Sequence, residues 1–138
     1  MLGERVVYYD TDSVIFVTRP SDVEPPSGNA LEEMTDELAG YSVDIYITNF
    51  VSGGPKFYSY IAVPLDGQEI ECCKIKGIRI DLQTSERVNY DTMRKLVECQ
   101  VGEFKVETTS IRRLKYHTVV TQPGEKIIRV TSAKRRTV

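Results

Sequence analysis

From Arg5 to Thr18 two runs of β-branched and aromatic residues flank the polar stretch Asp10-Thr11-Asp12-Ser13. That pattern predicts a β-hairpin with a polar tip. Arg19 to Gly28 is rich in proline, serine and acid and reads as a loop. In Ala30 to Ala39 the apolar residues Leu31, Met34 and Leu38 recur at i, i+3 and i+7. This spacing predicts an amphipathic helix capped by Asn29, ended by Gly40 and facing a core with those three side chains. Val43 to Val51 reads as a strand, Ser52-Gly53-Gly54-Pro55 as a turn and Lys56 to Val63 as the next strand. Asp66-Gly67 then turns the chain into a third strand over Ile70–Ile80. Asn89 or Asp91 can cap a helix reaching about Val97. The remainder, from Lys105, is β-rich, with a hairpin expected where Thr118–Thr121 and Lys126–Thr131 flank Gln122-Pro123-Gly124-Glu125. Tyr41, Tyr46, Tyr60, Tyr90 and Tyr116 read as packing residues and His117 as structural. The pattern as a whole predicts an α+β fold with mainly antiparallel strands.

Composition changes this picture in three places. Nothing approaches the ~18 apolar residues of a membrane-spanning helix, and the start of the chain lacks the form of a signal peptide. A soluble, intracellular protein is expected, nuclear if host-encoded. Cys72, Cys73 and Cys99 are odd in number and form no Cys-x-x-Cys, so reduced thiols are expected rather than disulfides or zinc. The net charge of −2 hides an asymmetry. Residues 1–50 carry 2 basic and 10 acidic side chains, whereas Arg112 to Val138 carry 8 basic and 1 acidic. The basic end, including Lys134-Arg135-Arg136, suits either a polyanion or an ordinary solvated surface.

Asp10 and Asp12 are the residues with candidate chemistry. In extended chain, residues i and i+2 point to one side, so both carboxylates can face one point. Two close anions repel unless a cation lies between them. A carboxylate-only oxygen set suits magnesium, and such sites serve phosphoryl or nucleotidyl transfer. The alternative is a pair of turn aspartates bonding the local backbone.

Tyr8-Tyr9-Asp10-Thr11-Asp12-Ser13 resembles the Tyr-x-Asp-Thr-Asp-Ser motif of family B DNA polymerases. Downstream, Gly53-Gly54-Pro55-Lys56-Phe57-Tyr58 resembles the Lys-x-Tyr motif of that family. Its Ser-Gly-Gly-Pro-Lys form is similar to that of protein-primed polymerases of Polinton-type transposons and related viruses. Cys73-Lys74-Ile75-Lys76-Gly77-Ile78 resembles the lysine-glycine strand that leads into the thumb. The three segments, in order, cover residues 5 to about 82.

The resemblance implies an antiparallel palm sheet with a catalytic β-hairpin and one or two packing helices over residues 1–82. A small β-rich, thumb-like region over 83–138 would follow. It implies that Asp12 and Asp10 are catalytic metal ligands and that Tyr8, Thr11 and Ser13 shape the nucleotide-binding turn. Lys56 and Tyr58 would grip the primer strand, joined by Lys74 and Lys76 as phosphate contacts. Gly77 would serve a close approach or a bulge. The implied cofactor is Mg2+, in a two-metal site that this chain supplies only in part. The implied partners are primer-template DNA, a dNTP, the rest of a polymerase polypeptide and, if priming follows the protein-primed members, a terminal protein; no membrane is involved. The family's earlier palm aspartate, fingers lysine and exonuclease are not found in these 138 residues. A fragment of a DNA-directed DNA polymerase, inactive alone, is therefore the expectation. The alternative is a non-catalytic DNA-binding or interaction module derived from one.

Overall fold

The first two apolar runs pair with each other. In the computed structural model, which describes residues 2–42 and 44–130, β1 (Val6–Asp10) runs antiparallel to β2 (Ser13–Phe16). A three-stranded sheet follows in the order β3 (Ile45–Gly54), β4 (Phe57–Pro64), β5 (Ile70–Ile75). Helices α1 (Leu82–Arg87) and α2 (Tyr90–Val97) lead to a two-stranded ribbon of β6 (Phe104–Arg113) and β7 (Val119–Ile128). The protein is thus α+β with antiparallel sheets. Val43, and residues 131–138 with the basic Lys134-Arg135-Arg136, lie outside the described residues.

The chain divides into two compact units, Met1–Asn49 with Ile61–Ile70, and Phe50–Tyr60 with Glu71–Val138. In the first, Tyr8 and Ala62 are buried. Arg5 fastens the proline-rich loop to the hairpin. Its guanidinium pairs with Asp22 at 3.0 Å, donates to the Val23 carbonyl at 3.0 Å and lies 5.9 Å from the centre of the Phe16 ring. Partial desolvation pushes the Asp22 carboxyl upward. The bonds from Arg5 and from the Arg19 amide outweigh that and hold it below its ordinary value.

The second unit contains the larger core. Val51, Phe57, Val88, Met93, Leu96, Val97, Val106 and Ile128 pack together there. Fully burying such a side chain is worth roughly 1.5–3 kcal/mol. In α2, Met93, Leu96 and Val97 form the buried face, at the spacing of one helical stripe. Of the two caps that the sequence offers, Asn89 and Asp91, it is Asn89 that caps the helix, accepting from the Thr92 amide at 2.9 Å and the Thr92 hydroxyl at 2.8 Å. The Tyr90 amide, also in the first turn, donates to the Glu71 carboxylate of β5. Gly53 has no room for a side chain, since a Cβ there would lie 2.5 Å from the Phe57 ring and 2.8 Å from Val130.

Five expectations are corrected. Residues 30–39 form turns and bends, not a helix. Glu32 has φ 81°, and Leu31 is 96% exposed rather than part of a core. Met34 is exposed and Leu38 half-buried. A ten-residue helix is marginal without an apolar face to pack on, and three apolar side chains do not supply one here. The Ser52–Pro55 turn is displaced. Strand β3 continues through Gly54, and Pro55-Lys56 makes the reversal, with Lys56 at φ 55°. Strand β5 stops at Ile75, and the chain turns at Lys76-Gly77, where Gly77 adopts φ 77°. Gln122–Glu125 is not a hairpin turn but mid-strand, with Thr109 opposite Pro123 and Thr108 opposite Gly124. Ten consecutive pairs with the β-branched run of β6 outweigh the local turn signal. The reversal falls instead at Leu114–Thr118, where Tyr116 and His117 have φ 63° and 62°. Tyr41, Tyr46 and Tyr116 are exposed, not packed, while Tyr90 packs against the core.

Candidate functional site

The candidate residues fall into two groups. The first is the hairpin tip in the first unit. Asp10 ends β1 opposite Ser13, which leaves Thr11 and Asp12 as a two-residue loop. Strand alternation puts Tyr8 and Asp10 on one side of β1, buried and half-buried, and Tyr9 on the other, 73% exposed. The Thr11 hydroxyl donates to the Asp10 carboxylate at 3.3 Å, and the Ser13 hydroxyl to the Asp10 carbonyl at 3.2 Å. Both hydroxyls therefore serve the turn. Thr11 has φ 47°, so the chain does not run extended from Asp10 to Asp12. The premise that strand geometry aligns the two carboxylates is corrected by this. Asp10 is half-buried at the end of β1, and Asp12 is exposed at the end of the tight loop.

These two carboxylates are the hard oxygen donors that magnesium takes. They fit the ion in kind but not in number. Among the described residues no group of three or more His, Cys, Asp or Glu side chains could hold a metal.

The second group is in the second unit, where Lys56, Tyr58, Lys74 and Lys76 come together across β4 and β5. The Lys76 amide donates to the Lys56 carbonyl at 2.7 Å, and the Ser59 hydroxyl to the Cys72 carbonyl at 2.9 Å. These pairings fix an antiparallel register. Along β4, Phe57 and Ser59 are buried while Tyr58 and Tyr60 are half-exposed. The tyrosines thus occupy the face away from the core. The Tyr58 ring centre lies 6.1 Å from Phe50 and 6.4 Å from Tyr60, and the Lys74 ammonium is 5.7 Å from it. Lys56 and Lys76 line an open concavity of about 530 Å3 with Phe57, Ile75, Lys126 and Arg129. The Lys126 ammonium donates to the Gly77 carbonyl. Lys126 and Arg129 are not among the sequence's candidates because the turn expected at Gln122–Glu125 hides the continuous strand β7 that carries Lys126 and leads into Arg129. The aromatic row was missed for a similar reason. Phe50 meets Tyr58 only through pairing of β3 with β4, and Tyr60 reads as packing in the sequence.

Cys73 lies beside this group but is chemically quiet. Burial pushes its thiol up to about 12, against the lowering bond to Ser59 and with the raising charge of Glu71. A thiol so protonated is not a nucleophile near neutral pH.

No helix among the described residues is long and apolar enough to cross a membrane. No protein-family model, curated protein or solved structure matches the chain.

Proposed function

We propose that the chain is the end of the palm and the thumb-like region of a family B DNA polymerase, acting in nucleotidyl transfer only when joined to the rest of such an enzyme. The observation that carries this reading is the Tyr8-Tyr9-Asp10-Thr11-Asp12-Ser13 hairpin. It combines the motif's residues with a two-residue loop that presents Asp12 to solvent and keeps Asp10 half-buried beneath it. Asp12 and Asp10 are the ligands of a partly supplied magnesium site, and magnesium bound there supplies positive charge for triphosphate oxygens. Thr11 and Ser13 hold Asp10 in place through their hydroxyls. Lys56 and Tyr58 contact the primer strand, the lysine by charge and the tyrosine by ring and hydroxyl.

The test is a chimera in which a complete family B polymerase receives this chain in place of its own segment from the Tyr-x-Asp-Thr-Asp-Ser hairpin onward. Asp12→Ala is expected to slow primer extension on the order of a thousandfold. Lys56→Ala should chiefly raise the DNA concentration needed. A folded, DNA-binding chimera that extends primers equally well with Asp12→Ala would sink the proposal.

A second reading, a nucleic-acid-binding module without catalysis, is favoured by Lys56, Lys76, Lys126 and Arg129 around one concavity. It requires affinity for duplex DNA that falls steeply with salt, through counterion release. Affinity that does not change with salt would eliminate it.

A further inference from the structure

The row of rings along β3 and β4 has a chemistry of its own. Phe50, Tyr58 and Tyr60 are adjacent at 6.1 and 6.4 Å between centres, and the Tyr58 and Tyr60 planes differ by only 13°. All three are half-buried; Tyr58 and Tyr60 lie on β4, whose other face, Phe57 and Ser59, is buried, and Phe50 lies on the neighbouring β3. Aromatic rings in series present apolar area on which a flat base can stack. A cation stands beside them, with Lys74 exposed and its ammonium 5.7 Å from the centre of Tyr58. At the end of β4 nearest Tyr58, the exposed Lys56 and Lys76 add two further positive charges. Flat rings in a row flanked by lysines match a polymer that alternates flat bases with anionic phosphates. A duplex hides its base faces in its own stack, whereas a single strand offers them.

We propose that Phe50, Tyr58 and Tyr60 form a stacking platform for single-stranded nucleic acid, with Lys74 and the lysines at the strand end contacting its phosphates. Binding is tolerant of sequence, because every base has a face to stack. The platform needs neither Asp10 nor Asp12 nor any catalytic step. Only Tyr58 is shared with the polymerase motif, and Phe50 and Tyr60 lie outside it. A failed chimera and a failed platform are therefore separate results.

The experiment uses the full 138-residue chain with fluorescent oligo-dT, oligo-U and a duplex of equal length, followed by anisotropy over a range of salt. Both single strands are expected to bind more tightly than the duplex, and the ratio of dT to U affinity reports whether the strand is DNA or RNA. Tyr60→Leu and Phe50→Leu should each weaken single-strand binding on the order of tenfold while leaving the salt slope unchanged. Tyr60→Phe should retain binding. Lys74→Gln should instead make the salt slope shallower by about 0.7. The chain has eight tyrosines and no tryptophan, so a stacked oligo-dT should also quench the intrinsic emission of the unmodified chain. That readout stands even if a leucine variant fails to fold. Duplex binding as tight as single-strand binding, unaltered affinity in folded Tyr60→Leu, or unquenched emission at saturation would each overturn the proposal.

Discussion

The Lys74 ammonium sits 5.7 Å from the centre of the Tyr58 ring, on the strand next to it. A cation at that range is attracted by the negative face of the ring, by about 0.5–1 kcal/mol at an exposed site. The contact also orients a long, mobile side chain over the aromatic row. In a double-mutant cycle of urea unfolding, Lys74→Met and Tyr58→Leu should couple by that amount, about 0.5–1 kcal/mol. Additivity within error would mean that the two groups are merely neighbours.

Magnesium binding should be weak. Two carboxylates on one short loop leave most of the coordination shell to water, and affinity follows ligand number and rigidity. Calorimetry of the chain with magnesium chloride is expected to give a Kd on the order of millimolar, weakened further in Asp12→Asn. A micromolar value, or one indifferent to Asp12→Asn, would contradict the assigned ligands.

The two helices carry matched caps of different chemistry. Asp81 accepts from the Thr84 amide and hydroxyl at 2.9 and 2.8 Å, as Asn89 does from Thr92 at 2.9 and 2.8 Å. Asn89→Ala should cost about 1 kcal/mol, independent of pH. The backbone and hydroxyl bonds from Thr84 hold the Asp81 carboxyl below its ordinary value of 3.8. Its ionised form is thus favoured by folding, so its contribution is present above 3.8 and is lost as the pH falls through the lowered folded value. Thermal melts of Asp81→Ala from pH 6 down to about 2 should converge on those of the parent. Melts of Asn89→Ala should remain offset throughout.

Helix α2 ends in a motif that ordinarily requires glycine. The Gln100 amide bonds the Lys95 carbonyl at 2.9 Å and the Cys99 amide the Leu96 carbonyl at 3.3 Å, with Cys99 at φ 62°. That is the Schellman arrangement, with a side chain where the left-handed backbone disfavours one. Cys99→Gly should stabilise the protein by up to about 1 kcal/mol, and Cys99→Val should destabilise it by a comparable amount. Urea unfolding checks both, and a destabilised Cys99→Gly would show that the thiol contributes more than the backbone strain removes.

Cys73 should resist alkylation in the folded protein while exposed Cys99 reacts. Its folded value of about 12 exceeds the ordinary 9.0, so folding favours the neutral thiol. The resulting stabilisation is complete below 9.0 and is lost as the pH rises through about 12. The stability difference between the parent and Cys73→Ala should therefore shrink across that window. A difference that grows with pH would mean the thiolate is the favoured form.

How much of this was legible in the sequence depended on how local the determinants are. The Val6–Phe16 hairpin and the Asn89-capped helix were readable because apolar period, polar loop and cap all lie within a few residues. The helix expected at 30–39 failed because three periodic apolar residues say nothing about whether a surface exists to receive them. At Pro123-Gly124 a turn signal was present but was overruled by pairing with residues about fifteen positions away in β6. The Cys99 cap was hidden because its usual marker is glycine. The Arg5–Asp22 pair and the Glu71 bond to Tyr90 join residues 17 and 19 apart, and no periodicity reports them. Among the candidate residues, the Asp10–Ser13 loop was legible as a tip. The meeting of Phe50, Tyr58 and Tyr60 required the strand order.

Pro123 opposes Thr109 near the middle of the β6–β7 ribbon. A proline is tolerated in a strand where the amide it lacks would have faced away from the partner. Among the described residues the ribbon has only these two strands, and an edge strand is a template for backbone bonding to another chain. On the β7 flank an incoming strand meets a missing donor at the midpoint, so fibrous stacking of one molecule on the next is interrupted there. Replacing Pro123 with valine would restore that donor, and its cost would appear as concentration-dependent precipitation rather than as a change in the fold of a single molecule.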